Sequence, residues 1–522
     1  MSKKNVVIIG AGPAGLTAAY KLLQANKDID VHILEESGVV GGISRTVFHN
    51  GNRMDIGGHR FFSKDPRVNA LWEEWMPHQG KPSFDDLKLG RNVVLKADGP
   101  NPEKTDRVML SRNRVSRIYY KRHFFDYPVK MNFNTIRNMG ILTTVEAGLS
   151  YLGTLLNKLP DDSLENFYVN RFGRKLYSMF FEGYTEKLWG RHPRDISSDW
   201  GAQRVKGLSI VAVLKDILTK LLPSGMRNKK KVETSLIEEF LYPKHGPGQL
   251  WEIAAAEITK MGGLIHYNHK VQGLKQVDGK VVEISCMNGD GDATSFPCDT
   301  VISSMPLKDL INGLNDVPTD IRDIAAGLPY RDFVTVGLLV SRLNLKNETK
   351  FKTLGNIIPD CWIYVQDTGV KLGRIQVFNN WSPYMVKDPE HFVWIGLEYF
   401  CNEGDELWRM SEDEWMNRGV SELVKMHVLD DGEKIHDYHV EKVKKAYPAY
   451  FDTYRQIDKL IAYLNGIQNL YCVGRNGQHR YNNMDHSMAT SFEAVENILS
   501  DGAADKSAIW AVNTEKEYHE EK

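Results

Sequence analysis

Three glycines near the amino terminus have the spacing of a dinucleotide-binding turn. Gly10, Gly12 and Gly15 form a G-x-G-x-x-G motif directly after the apolar run 5–9, and a helical pattern of apolar residues follows. Such a turn brings the backbone close to a pyrophosphate at a helix N-terminus, where free N–H groups favour an anion. Glu35, at the end of the second predicted strand, can accept hydrogen bonds from ribose hydroxyls. The motif predicts dinucleotide binding but leaves NAD and FAD open, and its alternative is a tight turn in an unrelated α/β fold.

Further glycine-containing motifs continue this pattern. They are GVVGGISRT at 38–46, DIGGHRFF at 55–62, the strand–turn–strand pattern GGLIHYNHKVQGL from Gly262, CDTVISSMPL from Cys298, and NLYCVGRNG from Asn469. Together they resemble the flavoprotein family that includes amine oxidases, protoporphyrinogen oxidases, phytoene desaturases and UDP-galactopyranose mutases.

This resemblance implies an FAD cofactor and a set of residues that contact it. The set is Gly10, Gly12, Gly15, Glu35, Gly42, Arg45, Gly58, Val271, Gly474, Arg475, Asp485, His486 and Ser487. A helix is expected through Ser491 to Leu499, with its positive N-terminus directed at the flavin pyrimidine. Asp485 and His486 precede this helix, and Asp485 is expected to cap it or to contact the flavin.

Two segments resemble one branch of that family more specifically. Residues 180–204, FFEGYTEKLWGRHPRDISSDWGAQR, and the later GRNGQHRYNNMDHSM resemble UDP-galactopyranose mutase, especially its longer eukaryotic type. The resemblance implies catalytic roles for Arg204, Arg374, His59 and Trp189. It also implies substrate-binding roles for Tyr364, Tyr447, Tyr481, Arg114, Tyr127, Trp381 and Asn483.

The chemistry of these residue types suits a nucleotide diphosphate. Two arginines can each form paired hydrogen bonds to phosphate oxygens, and tyrosine hydroxyls donate without adding charge. Each residue also has a structural alternative: a surface ion pair for either arginine, a core position for Trp189, and a polar loop position for His59.

The implied activity is the interconversion of UDP-galactopyranose and UDP-galactofuranose, or of a related nucleotide hexose, through a reduced-flavin–sugar adduct. The flavin would act as the nucleophile and would need a reductant such as NADPH or NADH. A furanose product would suit polysaccharide biosynthesis. The alternative is an FAD-dependent oxidoreductase of the amine oxidase, protoporphyrinogen oxidase or desaturase type.

The resemblance weakens in the substrate pocket. Val129 and Lys130 stand where the eukaryotic mutases have an aromatic residue and an amide, and Trp381 replaces an expected tyrosine. Thr185 likewise stands where that type has an amide. The sequence therefore does not identify the nucleotide base or the sugar of the substrate.

The predicted elements position these residues in three domains. The expected fold class is α/β, with a discontinuous Rossmann-like FAD-binding domain formed by about 1–90, 225–325 and 435–500. A helical domain at 110–225 and an antiparallel sheet domain at 326–434 are inserted into it, and 501–522 is a polar tail. Asn132–Leu159 and Ser163–Leu188 show the helical periods of the first insertion.

Composition narrows the partners. The 522 residues carry a formal net charge of -1, which argues against nucleic-acid binding. No segment is long and apolar enough to span a membrane, no signal peptide fits the N-terminus, and the histidines show no metal-ligand spacing. The five cysteines are widely spaced, as in a cytoplasmic protein with reduced thiols. The expected partner is a small nucleotide-sugar, and the oligomeric state stays open.

Overall fold

The computed structural model describes residues 3–25, 28–127, 129, 133–198, 239–500 and 505–513. Its strands are β1 Lys4–Ile9, β2 Ile29–Leu34, β3 Thr46–His49, β4 Asn52–Asp55, β5 Met109–Asn113, β6 Ser116–Tyr120, β7 His123–Asp126, β8 Glu239–Pro243, β9 Leu264–His266, β10 Lys270–Val277, β11 Lys280–Met287, β12 Ala293–Pro297, β13 Thr300–Ser303, β14 Tyr330–Val340, β15 Trp362–Val365, β16 Leu372–Val377, β17 Val393–Cys401, β18 Ile435–Pro448 and β19 Leu470–Cys472. Its α-helices are α1 Pro13–Gln24, α2 Pro66–Trp75, α3 Phe84–Leu89, α4 Phe133–Met139, α5 Ile141–Leu156, α6 Leu164–Tyr177, α7 Gly183–Trp189, α8 Pro247–Lys260, α9 Leu307–Gly313, α10 Thr319–Ala326, α11 Phe378–Trp381, α12 Glu406–Arg409, α13 Glu412–Lys425, α14 Ile457–Gly466, α15 Gly474–Gly477, α16 Met484–Leu499 and α17 Ser507–Ala511.

A parallel sheet of five strands carries the dinucleotide-binding turn. Its order is β19-β13-β1-β2-β9, and all four pairings are parallel. The central strand β1 buries Val6, Val7, Ile8 and Ile9, as expected for a strand covered on both faces. Because the strands come from the beginning, middle and end of the chain, the domain is discontinuous. The predicted α/β fold class is confirmed.

The turn between β1 and α1 depends on two of its glycines. Gly10 adopts φ +96°, a conformation that other residues rarely adopt. A Cβ atom added to Gly15 would lie 1.9 Å from the carbonyl oxygen of Gly10, so only glycine allows α1 to begin so close to β1. No side chain caps the N-terminus of α1, and its first N–H groups remain available for an anion.

The C-terminal helices differ from the prediction. Helix α16 begins at Met484 rather than near Ser491, so Asp485 lies in its first turn, and the prediction that Asp485 caps the helix is wrong. The N-cap residue is Asn483.

Part of the predicted polar tail is packed against the FAD-binding fold. Helix α17 buries Ile509 and Trp510, and the Trp510 Nε1–H donates to Asn465 Oδ1 at 2.9 Å. Gln478 Nε2 donates to the Ile509 carbonyl at 2.7 Å, and Arg480 donates to the carbonyls of Trp510 and Val512. The tail thus holds the segment between α15 and α16 in place, because its apolar run 508–512 interrupts a mostly polar sequence.

A mixed sheet of seven strands faces the FAD-binding fold, in the order β18-β14-β17-β16-β15-β6-β7. All of its pairings are antiparallel except that between β15 and β6. The predicted insertion 326–434 contributes the four strands β14 to β17. The sheet also includes β18 and the β6–β7 hairpin, which the predicted boundaries at 326 and 434 leave outside it.

The helical insertion is more broken than its sequence pattern indicates. Gly140, at φ +80°, separates α4 from α5 within the single predicted period 132–159. A π-helical turn, Ser178–Glu182, separates α6 from α7. Within the described ranges, every helix is too short or too polar to cross a lipid bilayer.

We predict that Gly15→Ala disrupts the dinucleotide-binding turn, because the added methyl group clashes with rigid backbone. The purified variant should contain little flavin, measured as absorbance near 450 nm per mole of protein. Gly466→Ala is the matched control, because no atom lies within 4 Å of an added Cβ there. Equal flavin content in the two variants would contradict the steric argument.

Candidate functional site

The carboxyl edge of the parallel sheet borders a space, the cleft, that is lined by the glycine turn between β1 and α1 and by Glu35. Glu35 is buried at the end of β2 and accepts a hydrogen bond from the Ala11 N–H at 2.8 Å. A Cβ added to Gly12 would meet only the Cα of Gly42, at 4.0 Å, so these two glycines border open space. The uncapped helix, the open glycine face and the buried acid match the pyrophosphate and ribose of FAD in chemistry.

Arg45 and Val271 lie beside this cleft. The Arg45 Nη2 atom lies 3.1 Å from Glu441 Oε2 on β18, and Nη1 donates to the Gly42 carbonyl at 3.3 Å. Arg45 therefore joins the glycine turn to the seven-stranded sheet. Val271 lies on β10, two residues after His269, whose N–H donates to the Glu35 carbonyl at 2.8 Å. This contact places the start of β10 against the ribose end of the cleft.

The other end of the cleft is formed by the loop after β4. Gly57 has φ +86°, and His59 Nδ1 lies 3.0 Å from the Gly57 carbonyl oxygen. Burial, the Arg475 guanidinium and the more weakly acting Arg374 lower the pKa of His59 to about 3, although the Gly57 carbonyl opposes them. His59 is consequently neutral at physiological pH. Gly58 beside it is exposed.

The first turn of α16 closes the same region. Asp485 and Ser487 are buried, and burial raises the pKa of Asp485. His486 Nδ1 accepts a hydrogen bond from the Asn483 N–H at 3.3 Å, which makes His486 part of the helix cap. Gly474 has φ +76°, and its N–H donates to Thr490 Oγ1 at 2.9 Å. The turn is thus held by its own hydrogen bonds beside the buried Asp485.

Arg374 is the central charged residue of the seven-stranded sheet. Its Nη2 atom lies 2.6 Å from Glu398 Oε2 on the neighbouring strand and donates to the Tyr447 hydroxyl at 2.6 Å. Burial acts to lower the pKa of Arg374, but Glu398 and the surrounding tyrosines outweigh it and hold the pKa well above its usual value. The guanidinium is therefore always charged. Its Nε atom is buried and has no hydrogen-bond partner among the described residues.

Glu398 links Arg374 to the loop after β4, which contains Gly58. The carboxylate is 1% exposed and accepts a hydrogen bond from Gln376 Nε2 at 2.9 Å. The other end of that amide, Gln376 Oε1, would lie 3.7 Å from a Cβ added to Gly58. One continuous series of contacts thus runs from Gly58 through Gln376 and Glu398 to Arg374.

Aromatic rings line the space around Arg374. The ring centroids of Tyr447 and Tyr481 are 5.6 Å apart, and the Arg475 guanidinium lies 4.5 Å from the centroid of the Tyr481 ring. Tyr364, directly opposite Arg374 in the sheet, lies 4.4 Å from Tyr127 at the exposed rim. The predicted Tyr364, Tyr447, Tyr481 and Tyr127 therefore surround Arg374 or reach it through ring contacts.

Other predicted site residues lie apart from this cluster. Trp381 is 0% exposed, and its Nε1–H donates to the Cys361 carbonyl at 2.9 Å, so the prediction that it contacts substrate is wrong for this packing. Trp189 is buried at the end of α7, with its ring 6.3 Å from that of Phe451. Arg114 lies 5.7 Å from the Trp362 ring, behind the site. Arg204 and Lys130 are outside the described residues.

The sequence reading missed three residues of the site: Glu398, Gln376 and Tyr184. Tyr184 on α7 lies 5.7 Å from the Tyr364 ring, and burial raises its pKa well above the usual value. Glu398 had a recognisable signal, because it is the only charged residue in the otherwise apolar β17 sequence VWIGLEYFC. A carboxylate at the centre of a buried strand requires a buried partner.

Comparison with protein families identifies the fold. A family model described as flavin containing amine oxidoreductase matches residues 13–499. The chain belongs to this family. Membership in the flavin containing amine oxidoreductase family implies FAD as the cofactor, in agreement with the cleft described above.

Relatives within the family have different activities. Protoporphyrinogen oxidase 2 of Arabidopsis thaliana is 38% identical over 235 residues, which is 44% of this chain and 42% of that protein. A probable UDP-galactopyranose mutase of Klebsiella pneumoniae is 25% identical over 202 residues, 38% of this chain and 44% of that protein. The chain thus aligns with less than half of the length of each.

Solved structures share the fold over the full chain. Reduced UDP-galactopyranose mutase superposes with a TM-score of 0.75 at 19% identity, covering 98% of this chain and 97% of that one. A putative protoporphyrinogen oxidase from Exiguobacterium gives 0.65 at 15% identity, covering 96% and 100%. At these identities the likeness shows the fold alone.

We predict that Glu398→Gln destabilises the site, because Arg374 would keep its charge without a buried counter-charge. The loss is about 3–5 kcal/mol, measured by urea denaturation of the holoprotein followed by flavin fluorescence. Glu403→Gln is the control, since Glu403 pairs with Lys444 at the exposed surface. A loss no larger than that of the control would contradict the buried pairing.

We also predict a pH dependence that arises from His479. The Nε2–H of this fully buried side chain donates to the Ala449 carbonyl oxygen, 3.0 Å away, and burial lowers the pKa of His479 to about 4. The unfolded chain binds the proton near pH 6.5, so stability falls as the pH drops from about 6.5 to about 4, by up to ~3 kcal/mol. His479→Gln should remove that part of the loss in urea titrations at several pH values, whereas the exposed His123→Gln should retain it.

Proposed function

We propose that this protein is a flavin-dependent nucleotide-sugar mutase that interconverts UDP-galactopyranose and UDP-galactofuranose, or a related nucleotide hexose. The observation that carries the proposal is a pair of guanidinium groups near the loop after β4. Arg374 and Arg475 both lower the pKa of His59 in that loop, and Arg374 is paired with the buried carboxylate of Glu398. A diphosphate carries about two negative charges and would bind to such groups.

The tyrosines supply the remaining hydrogen bonds to such a substrate. Burial raises the pKa of Tyr447 and of Tyr184, so both keep their hydroxyl protons at physiological pH. A protonated hydroxyl donates to a phosphate oxygen without changing the charge of the pocket. Tyr481 and Tyr364 extend the same surface on either side, which suits an elongated substrate.

The residues around the ring would hold the sugar and stabilise the leaving group. FAD, when bound and reduced, supplies a nucleophilic ring nitrogen for displacement at the anomeric carbon of the sugar. Arg374 stabilises the departing diphosphate because its position is set in advance by Glu398 and Tyr447. His59 stays neutral, and with Nδ1 protonated toward the Gly57 carbonyl, it leaves Nε2 free to accept a hydrogen bond.

The relatives favour a second candidate, a porphyrinogen oxidase. The supporting observation is the 38% identity to the Arabidopsis protoporphyrinogen oxidase over 235 residues. The two functions differ in electron balance. An oxidase passes electrons from its substrate to an acceptor, whereas a mutase consumes no electrons over a complete turnover. Aerobic incubation with protoporphyrinogen or coproporphyrinogen, followed by porphyrin fluorescence above the uncatalysed rate, would support the oxidase.

We predict that the dithionite-reduced protein converts UDP-galactofuranose to UDP-galactopyranose under anaerobic conditions, as followed by chromatography. The oxidised protein should be inactive. Replacing dithionite with NADPH or NADH tests whether a nicotinamide cofactor is the reductant. Failure of the reduced protein both to convert the sugar and to bind UDP would exclude this substrate.

Arg374→Lys provides the matched test of the diphosphate site. Lysine keeps the charge opposite Glu398 but loses the paired hydrogen bonds, so turnover should fall by about 10²-fold or more with flavin content unchanged. The control is Arg342→Lys, whose side chain is exposed and far along the chain from the site. Loss of flavin in Arg374→Lys would mean that the arginine supports the cofactor instead of the substrate.

A further inference from the structure

Helix α5 presents a continuous apolar surface to solvent. Its inner face packs on α6 through Ala147, Tyr151 and Thr154. Its outer face exposes seven large aliphatic side chains, among them Leu142 at 87% and Leu156 at 91%. The full set is Ile141, Leu142, Val145, Leu149, Leu152, Leu155 and Leu156. We call this set the α5 stripe.

The area of the α5 stripe is large for a monomer. Seven aliphatic side chains at these exposures offer on the order of 800 Å² of surface, above the ~300–600 Å² of the largest patch on a typical monomer. A standard interface buries about 800 Å² per partner. The stripe is therefore of the size that a second protein surface would cover.

The spacing of the stripe indicates what covers it. Leu142, Val145, Leu149, Leu152 and Leu156 follow one another in alternating steps of three and four residues. This is the a/d pattern of a helix that packs lengthwise against another helix. The same pattern is centred on Leu149, so a second α5 helix in the opposite direction would present the same residues in the reverse order.

The chemistry of α5 does not suit a lipid surface. Helices that lie on membranes usually place lysine and arginine beside their apolar face, and the α5 sequence ILTTVEAGLSYLGTLL contains neither. The charged residue that borders the stripe is Glu146, which lies 2.7 Å from Lys175 of α6. Thr144 and Ser150 form the remaining border. Because Glu146 is paired with Lys175 and the rest of this border is hydroxylated, it has no excess of basic residues that would favour anionic lipid over a protein partner.

The charges at the two ends of α5 fit an antiparallel pair. Exposed Arg137 precedes the helix, and exposed Asp161 and Asp162 follow it together with Lys158. In an antiparallel arrangement, each Arg137 lies beside the C-terminal end of the partner's α5 helix, where two carboxylates outnumber one lysine. The antiparallel helix dipoles add to this attraction.

We propose that the α5 stripe is the interface of a two-fold symmetric homodimer, in which the α5 helices of two copies pack antiparallel across an axis near Leu149. The dimer forms independently of the substrate, because the α5 stripe shares no residue with Arg374 and the side chains that surround it. Each copy therefore keeps its own complete candidate site.

The test combines mass measurement with matched variants of the holoprotein. Light scattering after gel filtration should give twice the mass of one chain for the wild type. Leu149→Lys should raise the dimer dissociation constant by roughly 100-fold and yield single chains. Leu87→Lys is the control, because Leu87 is 67% exposed and Leu149 is 65% exposed, but Leu87 lies outside the stripe. Flavin content and thermal midpoint verify that both variants fold.

Cross-linking tests whether Leu149 lies near the two-fold axis. All five native cysteines are buried, so a short bis-maleimide should join Leu149→Cys chains into covalent dimers and leave wild type and Leu87→Cys uncoupled. A wild-type monomer at micromolar concentration, or a dimer unaffected by Leu149→Lys, would overturn the proposal. Wild-type protein that is monomeric in solution but floats with anionic vesicles would do the same, by assigning the stripe to lipid.

Discussion

The ion pair between Arg374 and Glu398 is the constraint around which the candidate site is arranged. The two residues are direct cross-strand neighbours on β16 and β17, and Glu398 is the one charged residue of β17. Two charges removed from water are costly unless their geometry and remaining hydrogen bonds are satisfied. Tyr447 accepts a hydrogen bond from Arg374, and Gln376 donates one to Glu398. The Arg374 guanidinium is also close enough to His59, in the loop after β4, to lower its pKa. The sheet thus directs a permanent positive charge at the place where the cofactor ring belongs.

Much of the FAD-binding fold was predictable because its constraints are local. The glycine turn, Glu35 and the strand–turn–strand pattern around Val271 each depend on a few consecutive residues, and the structure has them as expected. The start of α16 was not predictable in this way. Met484 favours a helix whereas Asp485 and His486 do not, so their propensities leave the start of the helix open, and α16 as a whole packs against α1.

The candidate site was harder to predict because its residues meet only through the tertiary fold. Arg374, Tyr447 and Tyr481 were found by resemblance, and no spacing in the sequence brings them together. Glu398 was missed although its position in an apolar strand marks it as a buried charge. Trp381 was assigned to the substrate because of its place in the sequence, but the turn at α11 directs its ring into the core beneath Gly58. The role of Arg204 stays a prediction.

The strand order of the parallel sheet has a consequence for biosynthesis. Strand β1 emerges first, yet its neighbour β13 follows almost 300 residues later, and β19 closes the edge only near the end of the chain. During translation β1 can pair with β2 early, but its other edge has no partner until β13 has been synthesised. Pairing over such a large sequence separation is slow and leaves an edge exposed to aggregation, so the five-stranded sheet can be completed only when nearly the whole chain is available.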